Sequence, residues 1–142
     1  MTKILIAVDG SDNSNRAVQY VIAMAQRNIP LELHILNVEA PAIHYGEIDV
    51  YVGKDKLEKM QREAGERALQ PARALLDAAG VPYQAHVFIG EAGKSIAEQA
   101  SQLGCDEIVM GTRGLGALST LLLGSVATKV IHHAHVPVTL VK

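Results

Sequence analysis

Three glycines in six residues, Gly111-Thr112-Arg113-Gly114-Leu115-Gly116, make the segment best suited to binding chemistry. Glycine lets a backbone take positive φ and approach a ligand closely. Consecutive amide N–H groups in such a segment form a nest for an anion. Gly124-Ser125 follows, at the start of a helical run, where unpaired amides and the positive end of a helix dipole attract negative charge. Ser125 adds a hydroxyl and Arg113 a cation. Together these groups can hold a phosphate chain. On spacing alone, a strand-to-helix loop with glycine at its turns explains them equally well.

Other segments carry weaker signals. Gly90-Glu91-Ala92-Gly93-Lys94-Ser95 follows a strand and opens a helix, as a P-loop does. The motif requires a glycine where this chain has Phe88, so a capped helix start with a solvated Lys94 is expected. His132, His133 and His135 cluster near a helix end, where their charge is favourable. No acidic or Cys partner lies nearby in sequence to complete a metal site. His34, His44 and His86 are scattered. Cys105 lies beside Asp106 and Glu107, which raise a thiol pKa rather than activate it. Ser125 lacks a Gly-x-Ser-x-Gly elbow, and no residue is identified as a catalytic nucleophile or base.

These residues need elements to position them. Residues 4–8 form a short apolar run stopped by Asp9-Gly10-Ser11, as a buried strand would be. Residues 15–27 repeat apolar side chains at helical spacing, with Ser11, Asp12 or Ser14 as caps. Further strands are expected at 31–38, 83–89, 107–110 and 136–141, and further helices at 55–79, 92–103 and 125–133. Pro71 should kink or split the second helix, and Gly80 should stop it. Pro137 suits an edge or first strand position. Strands alternating with helices mean a parallel α/β sheet covered on both faces, Rossmann-like, in a single domain over residues 1–142. Residues 39–54, with Tyr45 and Tyr51, are long for a strand-to-helix connection and fit a lid. Leu121-Leu122-Leu123 either packs beneath the glycine-rich segment or forms a partner patch.

The balance of 13 basic and 15 acidic residues supplies no basic field for a nucleic-acid backbone. Five aromatic residues, none of them Trp, give no platform for base stacking. No apolar run approaches the ~20 residues of a membrane span. A single cysteine fits a reducing compartment, so a cytoplasmic location is expected.

The run Gly111-x2-Gly114-x9-Gly124-Ser125 resembles the nucleotide motif of the ATP-binding branch of the universal stress protein family. The resemblance covers the whole chain, including Val8-Asp9-Gly10-Ser11, Ile108-Val109-Met110-Gly111 and Pro137-Val138. It implies a five-stranded sheet in the order 3-2-1-4-5 and a homodimer paired through the fifth strand. It implies ATP as ligand, accompanied by magnesium or manganese. Carried over by position, Gly111, Gly114, Gly124 and Ser125 contact phosphates and ribose. Asp9 bonds the ribose or adenine end. Ala7, Val8 and Val38 line the adenine pocket, Met110 and Val126 flank the segment, and Arg113 stands where the family varies. Physical reasoning agrees for Asp9: a carboxylate accepts two hydrogen bonds from a ribose diol, whereas one beside a triphosphate is repelled. Capping the first helix is the competing role for Asp9.

The resulting expectation is a nucleotide-dependent stress or signalling regulator with an unidentified protein partner. ATP would order the glycine-rich segment and residues 39–54, with at most slow hydrolysis. An ATP pyrophosphatase-like hydrolase and a nucleotide-free interaction module are the alternatives. Asp9-Gly10-Ser11-Asp12-Asn13-Ser14 only faintly resembles the pyrophosphatase loop, since its leading Ser-Gly pair is absent.

Overall fold

Ile4, Leu5 and Ile6 are consecutive and all wholly buried. Successive side chains of a strand point to opposite faces, so a fully apolar strand needs cover on both. The computed structural model describes residues 1–41, 53–113 and 123–142 and provides that cover. The elements alternate as β1 (Thr2–Ala7), α1 (Asp12–Gln26), β2 (Leu31–Glu39), α2 (Lys54–Ala79), β3 (Gln84–Ile89), α3 (Ala92–Gln102), β4 (Glu107–Gly111), α4 (Ser125–His133) and β5 (Val138–Val141). The sheet order is β3-β2-β1-β4-β5 and every pairing is parallel, as the resemblance implies.

Each face has its own apolar cluster. Ile4, Ile6 and Val8 pack with Val18 and Val21 of α1 and with Leu69 and Leu76 of α2. Leu5, Ala7 and Leu36 pack with Ile96 of α3 and Val130 of α4. Each fully buried Val, Leu or Ile side chain among them contributes about 1.5–3 kcal/mol.

Several boundaries differ from the sequence expectation. Helix α1 starts three residues before position 15 because Ser11 caps it, its Oγ accepting the Ser14 amide at 3.2 Å. Helix α2 runs through Pro71 without splitting. A mid-helix proline costs about 3 kcal/mol; Leu69, Ala72 and Leu76, each at most 1% exposed, anchor the helix to the sheet on both sides of it. Gly80 ends α2 in the left-handed conformation, φ 68°, as expected of a helix stop. Pro137 falls just before edge strand β5, where its carbonyl accepts the Ile108 amide at 2.9 Å.

Connections from β1 and β4 leave to opposite faces of the sheet. The two strands are neighbours, with Ala7 opposite Met110. Their carboxyl ends therefore flank the crevice where open α/β sheets take ligands.

Candidate functional site

A cleft of about 410 Å³ lies at that crevice. Its apolar wall comes from Ala7, Val8, Leu36, Val38, Ile96 and Met110, and its polar side from Asp9, Ser14, Asn37, Thr112, Arg113, Gly124 and Ser125. Gly111 and Val126 also line it. Of the sequence-selected residues, Ala7, Val8, Asp9, Val38, Met110, Gly111, Arg113, Gly124, Ser125 and Val126 thus share one cleft. Gly114, Tyr45, Tyr51, Leu121 and Leu122 lie outside the described residues. Leu123 packs against the core on the α3–α4 face.

Local hydrogen bonds fix the walls. After β1, the Val8 amide donates to the Leu36 carbonyl at 2.9 Å. The Val8 carbonyl accepts Asn37 Nδ2 at 2.8 Å. Asp9 Oδ1 accepts the Ser11 amide at 2.9 Å, and the Asp9 amide donates to Ser14 Oγ at 3.4 Å. The capping role therefore falls to Ser11, and Asp9 shapes the turn that precedes α1. Gly10 sits in that turn at φ 84°, a conformation that favours glycine.

After β4, the Thr112 amide donates to the Val141 carbonyl at 3.1 Å, and the Gly124 amide donates to the Thr112 carbonyl at 2.6 Å. The two ends of the β4–α4 connection are thereby joined. The Arg113 amide donates to Asn13 Oδ1 at 2.9 Å. A Cβ on Gly111 would overlap the Asn13 side chain. Gly124 is the N-cap of α4 and makes no side-chain cap; it lines the cleft with Ser125 and Val126, which places the helix start, whose first amides have no intrahelical partners, at the cleft. The arrangement pairs an apolar slot with hydroxyls, a cation, a carboxylate and a helix start. It suits a ligand with a flat apolar part and an anionic tail.

Sequence reasoning missed Ser14, Leu36, Asn37, Ala92, Ile96, Thr112 and Ala127 in the lining. Thr112 sits inside the glycine-rich segment, and Leu36 and Asn37 immediately precede Val38. Proximity along the chain was the available signal for these three. Ala92 and Ile96 reach the cleft only because α3 crosses that face of the sheet.

The P-loop-like stretch has a packing role. A Cβ on Gly93 would overlap the Lys129 side chain, so this glycine lets α3 and α4 approach closely. Lys94 is exposed and pairs with Glu98 at 3.8 Å. Glu91 stands at the N-cap without a side-chain bond, contrary to the capped start expected. Instead it pairs with Lys129 at 3.4 Å.

Elsewhere, two histidines read as scattered come together. His34 Nδ1 lies 2.9 Å from His86 Nε2, and the rings stack at 5.2 Å. Burial, reinforced by His34, holds His86 below the ordinary imidazole pKa. Burial also pushes the Cys105 thiol up, with Asp106 and Glu32 adding to it. Among the described residues no three His, Cys, Asp or Glu side chains gather to hold a metal. No helix among them is long and apolar enough to cross a membrane.

A sequence model of the universal stress protein family matches residues 1–142. The chain belongs to the universal stress protein family. This universal stress protein is 33% identical over 146 residues to universal stress protein MJ0531 of Methanocaldococcus jannaschii, covering 99% of this chain and 81% of the relative. It is 34% identical over 152 residues to universal stress protein Sll1388 of Synechocystis sp., covering 99% and 97%. Its fold matches the solved structure of protein MJ0577 with a TM-score of 0.81 at 28% identity, covering 99% and 95%. A universal stress protein solved in complex with cAMP matches with a TM-score of 0.69 at 27% identity, covering 99% and 97%.

Proposed function

We propose that this universal stress protein binds an adenine nucleotide, ATP, in the cleft between the carboxyl ends of β1 and β4. One observation carries the reading: an apolar slot and the start of α4 share a single cleft, with Asp9 on its polar side. Ala7, Val8 and Val38 take the adenine, and Met110 and Val126 flank the glycine-rich segment. Asp9 receives the ribose hydroxyls. Gly111, Gly114, Gly124 and Ser125 take the phosphates and ribose, and Arg113 adds positive charge. A relative of the same family solved with cAMP supports an adenine nucleotide as the ligand class. Magnesium or manganese enters with the triphosphate as its complex.

The nucleotide acts as a regulatory ligand of a cytoplasmic stress or signalling protein. Binding shifts the population toward a state whose surface a protein partner reads. Two chains pair through β5, which stands at the edge of the sheet beside β4.

Calorimetric titration with ATP and magnesium tests the site. Gly124→Asp places a carboxylate at the α4 N-cap, against the phosphates. Wild type should bind, and the variant should not, with an unchanged circular dichroism spectrum. Equal affinity in the two would refute the phosphate assignment. Release of pyrophosphate would favour a hydrolase, and an intact dimer blind to nucleotide would favour an interaction module.

A further inference from the structure

We propose that Asn13 is a positioning residue for the anion-binding side of the cleft, and that Gly111 is glycine to make room for it. Asn13 sits in the first turn of α1 and is 6% exposed. Its Oδ1 accepts the Arg113 amide at 2.9 Å, the amide that follows the last one bonded to β5, that of Thr112. A Cβ on Gly111 would overlap this Oδ1 and stand 2.9 Å from Asn13 Cγ. The Asn13 amide therefore fills the space that any other residue at position 111 would occupy. This gives Gly111 a reason other than contact with a ligand.

The other half of the side chain sharpens the point. Asn13 Nδ2 is buried without a hydrogen-bond partner among the described residues. An unmade bond at a dry N–H destabilises the fold, and a smaller side chain at position 13 would avoid it. The bond that asparagine does make is the one to the Arg113 amide, and it fixes the direction of that amide. The adjacent Ser14 holds the Asp9 amide through its Oγ at 3.4 Å. One turn of α1 thus ties down both sides of the cleft, Asp9 through Ser14 and Arg113 through Asn13. The Thr112 carbonyl, one residue before, holds the Gly124 amide at 2.6 Å. Fixing the Arg113 amide therefore also orients the peptide on which Gly124 hangs.

The ligand arm of the test rests on the nucleotide reading; the amide arm does not. Asn13→Ala should weaken ATP–magnesium binding about 5-fold or more, the worth of one aligned hydrogen bond. Adenosine affinity should stay at the wild-type value, because the adenine wall is untouched. The Arg113 amide should exchange with solvent faster in Asn13→Ala. It should remain protected in Asn13→Asp, which keeps the acceptor and suits a helix start. Gly111→Ala should also weaken ATP, and adding Asn13→Ala should recover part of that loss by removing the side-chain overlap, the Asn13 backbone carbon still standing 3.0 Å from the added methyl. Equal losses for ATP and adenosine, or an Arg113 amide unchanged in Asn13→Ala, would overturn the proposal. If wild type binds neither ligand, the nucleotide reading fails, and Arg113 exchange decides the positioning role alone: faster exchange supports it and unchanged exchange overturns it.

Discussion

Asn37→Asp is an isosteric change that probes the β1–β2 side of the cleft. Asn37 is 3% exposed, and its Nδ2 donates to the Val8 carbonyl at 2.8 Å. The substitution replaces that donor with an oxygen. Ionised, the new carboxylate faces a carbonyl lone pair in a dry site. Protonated, it donates as the amide did. Holding a carboxyl neutral costs about 1.4 kcal/mol for each pH unit above its unfolded value near 3.9. The deficit against wild type therefore reaches up to about 4 kcal/mol at pH 7 and up to about 1.5 kcal/mol at pH 5. The sign follows: the folded pKa is raised above the unfolded one, so relative stability is lost as pH rises. His86 titrates in both proteins and cancels in the difference. Urea denaturation followed by circular dichroism at the two pH values measures it. A deficit equal at pH 7 and pH 5, or below about 1 kcal/mol at pH 7, would show that Asn37 is not the dry donor described here.

Wild type should itself lose stability in mild acid. His86 is held below its ordinary pKa, first by burial and then by His34. The unfolded chain gains this proton from about pH 6.5 downward while the folded state resists it, so stability falls from there toward the folded pKa and then levels. The slope is at most about 1.4 kcal/mol per pH unit for one site. It should flatten in His86→Gln, and an identical profile in that variant would refute the assignment. Gly93→Ala should destabilise by about 1–3 kcal/mol, because the added methyl overlaps the Lys129 side chain. An unshifted thermal midpoint would contradict the close α3–α4 packing. Cys105 is 5% exposed and its thiol is pushed up by burial. A disulfide reagent at pH 8 should modify it far more slowly in the native protein than in urea; equal rates would place it at the surface.

The fold was legible because its signals are local and mutually consistent. Short apolar runs at residues 4–8 and 108–110 bounded by turn residues read as strands buried on both faces, and the helices between them carry the usual spacing. The sheet order came from the resemblance rather than from periodicity. Legibility fails where one residue's meaning depends on another strand or helix. His34 and His86 are 52 residues apart, and only the parallel β2–β3 register brings them together. Asn13 and Asn37 read as ordinary polar residues in sequence, yet both are buried and bond to backbone across elements. Gly93 looked like part of a phosphate motif, and its partner, Lys129, lies on a helix that follows a different strand. The residues of the cleft wall closest to Val38 and Arg113 in sequence were within reach; Ala92 and Ile96 were not, since their place depends on how α3 crosses the sheet.

Mass spectrometry of whatever small molecule the purified protein releases on denaturation tests the central claim most directly. The account predicts an adenine nucleotide at near one per chain, or its uptake when ATP and magnesium are added to empty protein. A protein that carries no nucleotide and binds none on addition would contradict the account.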